Sequence, residues 1–156
     1  MLQDVLVMNR IFDYWVPFLM ATGVAFLFFK YVGISGQEKM YQDFIKSFVE
    51  FGSLCFGVLL TFFGVIIQSS SETIRRMKRS TKNFNRLIVY NRNIIIFSLV
   101  LTVYAYLIGN LNFWMITTYS ISELVLSIFF GALVYFLYGL LYLLLIFFNL
   151  LRQHEN

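Results

Sequence analysis

Apolar residues in this chain come in four long runs, at 15–34, 51–67, 94–109 and 124–148, and the polar residues gather between them. The first run reaches 34 only if Lys30 carries its ammonium out to a wetter layer along its methylene stem. A helix crossing a hydrocarbon layer of about 30 Å needs about 20 apolar residues, and each run approaches or exceeds that length. The fourth is 25 residues without a charge. As a helix rising 1.5 Å per residue it would be about 37 Å long, so it must tilt or protrude. Open strands would leave backbone groups unpaired in lipid, and the alternation of a membrane barrel is missing. The pattern predicts an all-α integral membrane protein, one domain of four transmembrane helices.

The polar stretches orient it. Residues 68–93 carry Arg75, Arg76, Lys78, Arg79, Lys82, Arg86 and Arg92 against one acid, Glu72, a net charge of +6. Cytoplasmic loops concentrate Lys and Arg, so this segment belongs inside. With four spans both termini join it, which puts nine basic residues inside and leaves Lys30, Lys39 and Lys46 outside. Ile74, Met77, Thr81, Phe84 and Ile88 recur at spacings of three and four, while Arg75, Arg79, Lys82 and Arg86 repeat on another face. That periodicity predicts a basic cytoplasmic helical hairpin extending helices 2 and 3, with a bend at 79–83. The leader before Trp15 holds Asp4 and Asp13 beside Arg10 and no cleavage motif follows, so the first run reads as an uncleaved span. Leu2, Val5, Leu6, Ile11 and Phe12 make that leader weakly amphipathic, as in a helix lying along the inner interface.

Composition narrows the chemistry. With 60% hydrophobic and 13% charged residues the chain is far from the roughly 25% charged of a soluble domain. One Cys, Cys55, and one His, His154, exclude a disulfide framework and a Cys/His metal cluster. Phosphate-binding loops, nucleophile elbows and metalloprotease motifs are absent. Asp4, Asp13 and Asp43 lie in the leader and the first loop, and Glu50 and Glu123 stand at span entrances. A charge at the bilayer centre costs about 2.5 to 3.5 kcal/mol on insertion scales, so its absence there argues against ion-coupled transport. The expectation is a non-enzymatic protein with no catalytic residue, no cofactor and no metal.

Two rows of small or polar residues stand out at helical spacing. On the second span they are Glu50, Ser53, Gly57, Thr61, Gly64 and Gln68; on the fourth, Glu123, Ser127, Gly131, Tyr135, Tyr138 and Tyr142. Small residues let helices approach closely in lipid, and tyrosine hydroxyls need partners that acyl tails cannot supply. Each row is either a helix-packing face or the lining of a pore or protomer interface. A shorter row, Ser98, Thr102, Ala105 and Gly109, offers one complementary surface to the fourth span. Three such rows on four helices predict a homo-oligomer.

The second span ends in TFFGVIIQSS and runs through the basic linker SETIRRMKRSTKNFNRLIVYNR into the third. In this layout the chain resembles the small four-span membrane subunits of bacterial anti-phage defence systems, the Kiwa-type membrane subunit among them. That resemblance implies an oligomeric complex, a tetramer, in the bacterial inner membrane, which senses envelope injury and works with a soluble cytoplasmic DNA-binding protein. It maps the docking surface onto Arg75, Arg76, Lys78, Arg79, Lys82 and Arg86. The basic segment also suits anionic headgroups, and no motif for reading bases is present, so sequence-specific nucleic-acid binding by this chain is not expected. The competing expectation is a channel or pore-forming effector that depolarises the membrane, with the rows lining its conduit.

Overall fold

A computed structural model of the chain describes residues 15–31, 38–68, 81–110 and 119–152. All regular structure among them is helical: α1 (Val16–Tyr31), α2 (Glu38–Gln68), α3 (Thr81–Asn110) and α4 (Tyr119–Arg152). Each of the last three extends well beyond its apolar run. Hydrogen bonding along a helix does not stop where hydrocarbon stops, and residues 38–50 show why. Tyr41, Ile45 and Phe48 recur on one buried face, while Lys39, Asp43, Lys46 and Glu50 occupy an exposed one. The stretch expected as a loop around Asp43 is therefore an amphipathic continuation of α2.

Three helices are long and apolar enough to cross a membrane, within Lys39–Gln68, Leu87–Asn110 and Ile121–Ile146. The first run, α1, is shorter among the described residues: it has 16 residues, about 24 Å at 1.5 Å per residue. Its extension to residue 34 lies outside the described residues. Pro17, the chain's one proline, is buried in the first turn of α1, where a missing N–H leaves no intrahelical bond unmade. The outer surface is strongly apolar, with Phe18, Leu19, Phe26, Leu54, Val100 and Leu145 all exposed. Such a surface suits lipid rather than water.

Contacts run in the order α1 on α4, α4 on α3, and α3 on α2. Each pair is antiparallel, as an up-and-down chain with short connections requires. Close approach at a glycine occurs in all three pairings. A Cβ on Gly131 of α4 would lie 2.8 Å from the Ala21 carbonyl oxygen and 2.9 Å from the Ala25 Cβ of α1. A Cβ on Gly52 of α2 would meet Thr102 Oγ1 of α3, and one on Gly139 of α4 would meet Ile94 of α3. Near the end of the bundle where α2 begins, rings tie α2 and α1 to α4. Phe28 stacks on Phe130 at 4.4 Å, Phe44 stacks on Phe130 at 5.6 Å, and Phe48 meets Phe129 edge-on at 5.3 Å. Ile45, Ala105, Leu126, Phe129 and Phe136 are wholly buried and form the core.

Candidate interaction faces

The two rows singled out in the sequence have opposite surroundings. On α2, Glu50, Ser53, Gly57, Thr61 and Gln68 are exposed and Gly64 is half-buried. A Cβ added at Gly57 or Gly64 would meet nothing within 4 Å. The face that α2 turns inward is instead Tyr41, Ile45, Phe48, Gly52, Cys55 and Leu59. The row is thus not the packing face within the chain. Its hydroxyls are nonetheless satisfied, since Ser53 Oγ donates to the Val49 carbonyl at 2.8 Å and Thr61 Oγ1 to the Gly57 carbonyl at 2.9 Å. Such bonds to the preceding turn let a hydroxyl face lipid or a neighbouring helix without water.

Gly109, next to the end of α3, abuts Ile45 and Lys46, and Gly52 abuts Thr102. Glu50 therefore stands opposite the turn around residue 104, about 9 Å in from the last residue of α3 at 1.5 Å per residue. Lys46 precedes it by one turn on the same exposed face.

On α4, Ser127 and Gly131 are buried and Glu123, Tyr135, Tyr138 and Tyr142 are half-buried. Within the chain, Ser127 and Gly131 are covered by its own helices, while the tyrosines remain half-buried. Gly131 seats α1; Tyr135 packs on Phe97 of α3 at 4.9 Å, and Tyr142 meets Tyr90 of α3 edge-on at 5.4 Å and stacks with Tyr138. Ser127 Oγ donates to the Glu123 carbonyl at 2.7 Å. The reason is size. Next to Gly131, α1 comes within van der Waals reach of the α4 backbone, and one turn further along the tyrosine rings bridge to α3.

The shorter α3 row is buried too, and two of its members lie against α2. Thr102 faces Gly52, and Gly109 faces Ile45. At the same end Gln42 Nε2 donates to the Gly109 carbonyl at 3.3 Å. What joins α3 to α4 at this level is Tyr104, whose hydroxyl donates to the Val125 carbonyl at 3.1 Å. Gly52, Gly139 and Tyr104 were not singled out by the sequence rows. Gly52 shares a register with Ile45, Phe48 and Cys55, a signal that disappears in a helix apolar all round.

Of the basic segment, α3 begins at Thr81, so Lys82, Arg86 and Arg92 stand in its first twelve residues. Arg75, Arg76, Lys78 and Arg79, and with them the expected bend and hairpin, lie outside the described residues, as does the amphipathic leader. Among the described residues no group of His, Cys, Asp and Glu is arranged to hold a metal ion. No protein-family model matches the chain, and neither a curated protein nor a solved structure matches it.

Proposed function

We propose that the chain is a non-enzymatic, homo-oligomeric scaffold or sensor of a bacterial inner membrane, with both termini cytoplasmic, which recruits a soluble cytoplasmic protein through its basic segment. The observation that carries this reading is the distribution of charge. Seven of twelve basic residues fall in residues 68–93, which hold +6, while the rest of the chain sums to −2. A concentrated cationic surface at one end of an otherwise nearly neutral helical bundle steers and docks acidic partners. The resemblance to the membrane subunits of anti-phage defence systems implies a DNA-binding partner and a tetrameric assembly.

The exposed row on α2 supports self-association. A carboxylate such as Glu50, about 9 Å in from the end of α3, is costly against acyl tails. It is far less so against Lys46 of a second copy. The small residues Ser53, Gly57 and Gly64 then allow two α2 helices to approach closely. The test is a co-purification from membranes of the wild type and of a variant combining Arg75→Glu, Arg76→Glu, Arg79→Glu and Arg86→Glu. Recruitment of the soluble protein should be lost while the oligomer mass in detergent is unchanged. Recruitment that survives at ordinary salt would place docking elsewhere, and a monomer by native mass would remove the self-association.

The same exposed row also admits a channel reading, in which Thr61 and Gly64 line a conduit between copies. That reading requires ion flux in liposomes altered by Thr61→Leu or Gly64→Leu.

A further inference from the structure

The exposed row on α2 does not begin at Glu50. Lys39, Asp43 and Lys46 precede it at spacings of four, three and four, so they continue the same face outward along the charged half of the helix. All four charged residues are exposed. Among the described residues no other helix covers them, and none of the four takes part in an ion pair. Along the helix each lysine precedes an acid by four residues, the weaker order for pairing within one helix, where the acid should come first. An open face with alternating plus and minus charges is the result.

Such a row complements itself. Copies of one membrane protein share one orientation, so the α2 helices of two neighbouring copies run parallel. About a two-fold axis each residue of the row lies opposite its own counterpart, and the partner's acid four residues on is offset by about 6 Å along the helix at 1.5 Å per residue. The flexible four-carbon stem of lysine spans that offset. From Lys39 to Gly57 the spacings alternate between four and three, the 3.5-residue repeat that keeps two parallel helices in contact instead of letting them splay. Beyond the charges the row turns small, and a Cβ at Gly57 or Gly64 would meet nothing of this chain within 4 Å, so a second α2 can come close there. We infer that the α2 helices of two copies pair in parallel about a two-fold axis, with Lys39 and Lys46 of each copy bonded to Asp43 and Glu50 of the other. Close approach at the glycines supplies affinity, while the alternating charges set register and choice of partner. A face that binds itself is closed by two copies, so a tetramer is two such dimers joined elsewhere. This rests on the membrane placement and self-association proposed above and adds the orientation, register and symmetry of the partner.

The experiment uses two full-length variants with different tags, one acidic along the row (Lys39→Glu with Lys46→Glu) and one basic (Asp43→Lys with Glu50→Lys). They are co-expressed, extracted in detergent at low salt, and their like and mixed pairs are counted by tag and native mass. Every substituted residue is exposed in the single chain, and helicity by circular dichroism confirms that each variant folds. Mixed pairs should exceed like pairs by about tenfold, as the exposed ion pairs from both copies add together. Salt at about 1 M, where the Debye length is about 3 Å, should remove most of that preference. Ser53→Cys should form a disulfide between copies, because the axis sets each Ser53 beside its counterpart, with the wild type, whose one thiol is buried, as the blank. Like and mixed pairs in equal amounts would overturn the charge pairing and leave self-association through the glycines standing. Absence of the disulfide would overturn the parallel two-fold arrangement. A wild type found only as a monomer would overturn both this inference and the self-association beneath it. The substitutions leave residues 68–93 untouched, so loss of the mixed preference with partner recruitment preserved separates failure of this inference from failure of the scaffold reading.

Discussion

The small-residue row of α2 and the small-residue row of α4 are nearly the same object in sequence and opposite objects in structure. Each combines an acid at its start with serine, glycine and a further hydroxyl at spacings of three and four. On α4 the glycine is a socket: Gly131 receives the backbone of α1, and the tyrosines that follow pack on Phe97 and Tyr90. On α2 the glycines face nothing within 4 Å and the acid is exposed. Across their apolar windows, 17% of α2 is buried against 33% of α4, so α2 spends most of its surface on whatever surrounds the bundle. A period of 3.6 identifies a face but not what covers it. The covering follows from which other helices have a matching contour, and among the described residues no helix covers the row on the exposed face of α2.

The largest test of this contrast is Gly131→Leu. Its Cβ alone would approach the Ala21 carbonyl oxygen to 2.8 Å, and a backbone atom held in a helix cannot move aside as a side-chain tip can. Overpacking of this kind costs typically 1–3 kcal/mol, and the backbone obstacle puts this case at about 3 kcal/mol. Thermal unfolding in detergent should show a large fall in midpoint, with α1 detached from α4. An unchanged midpoint would mean that α1 does not seat on Gly131.

The fold was legible in part. The last three apolar runs lie within α2, α3 and α4 because a long uncharged stretch has few alternatives to a helix in lipid. The beginning of α2 was not, because attention to hydrophobic runs ends at Glu50, whereas Tyr41, Ile45 and Phe48 carry the helix outward on a face only three residues wide. The groove of about 270 Å³ between α2 and α4 left no trace in the sequence, because Leu54, Val58, Leu140 and Leu143, which line it, are ordinary members of apolar helices. In an apolar helix the contacts that decide helix placement are made by what is missing, a Cβ at Gly52, Gly131 or Gly139, and a missing atom has no partner to announce it.

A second test turns on α2. Gly57→Leu and Gly64→Leu introduce side chains where the chain offers no obstacle, so the fold of a single copy should keep its stability to within about 0.5 kcal/mol, as at ordinary surface positions. In a homo-oligomer joined through this face both changes should lower the assembled fraction by crosslinking in membranes, because the close approach of two α2 helices requires small residues. Assembly that withstands both substitutions would assign the interface to another face and leave the exposed row to lipid.

The smallest effect is expected from the hydroxyls of that row. Ser53 Oγ and Thr61 Oγ1 donate to carbonyls of their own helix, at 2.8 and 2.9 Å. These bonds are made whether the surroundings are lipid, water or a second protein. Ser53→Ala and Thr61→Ala therefore remove a self-contained bond, with no buried partner left wanting, and should shift stability by less than about 0.5 kcal/mol. Assembly should be unchanged as well if the copies meet through shape at Gly57 and Gly64. A marked loss of ion flux in liposomes with unchanged assembly would instead mean that the hydroxyls contact permeant water or ions, and it would decide for the conduit over the scaffold.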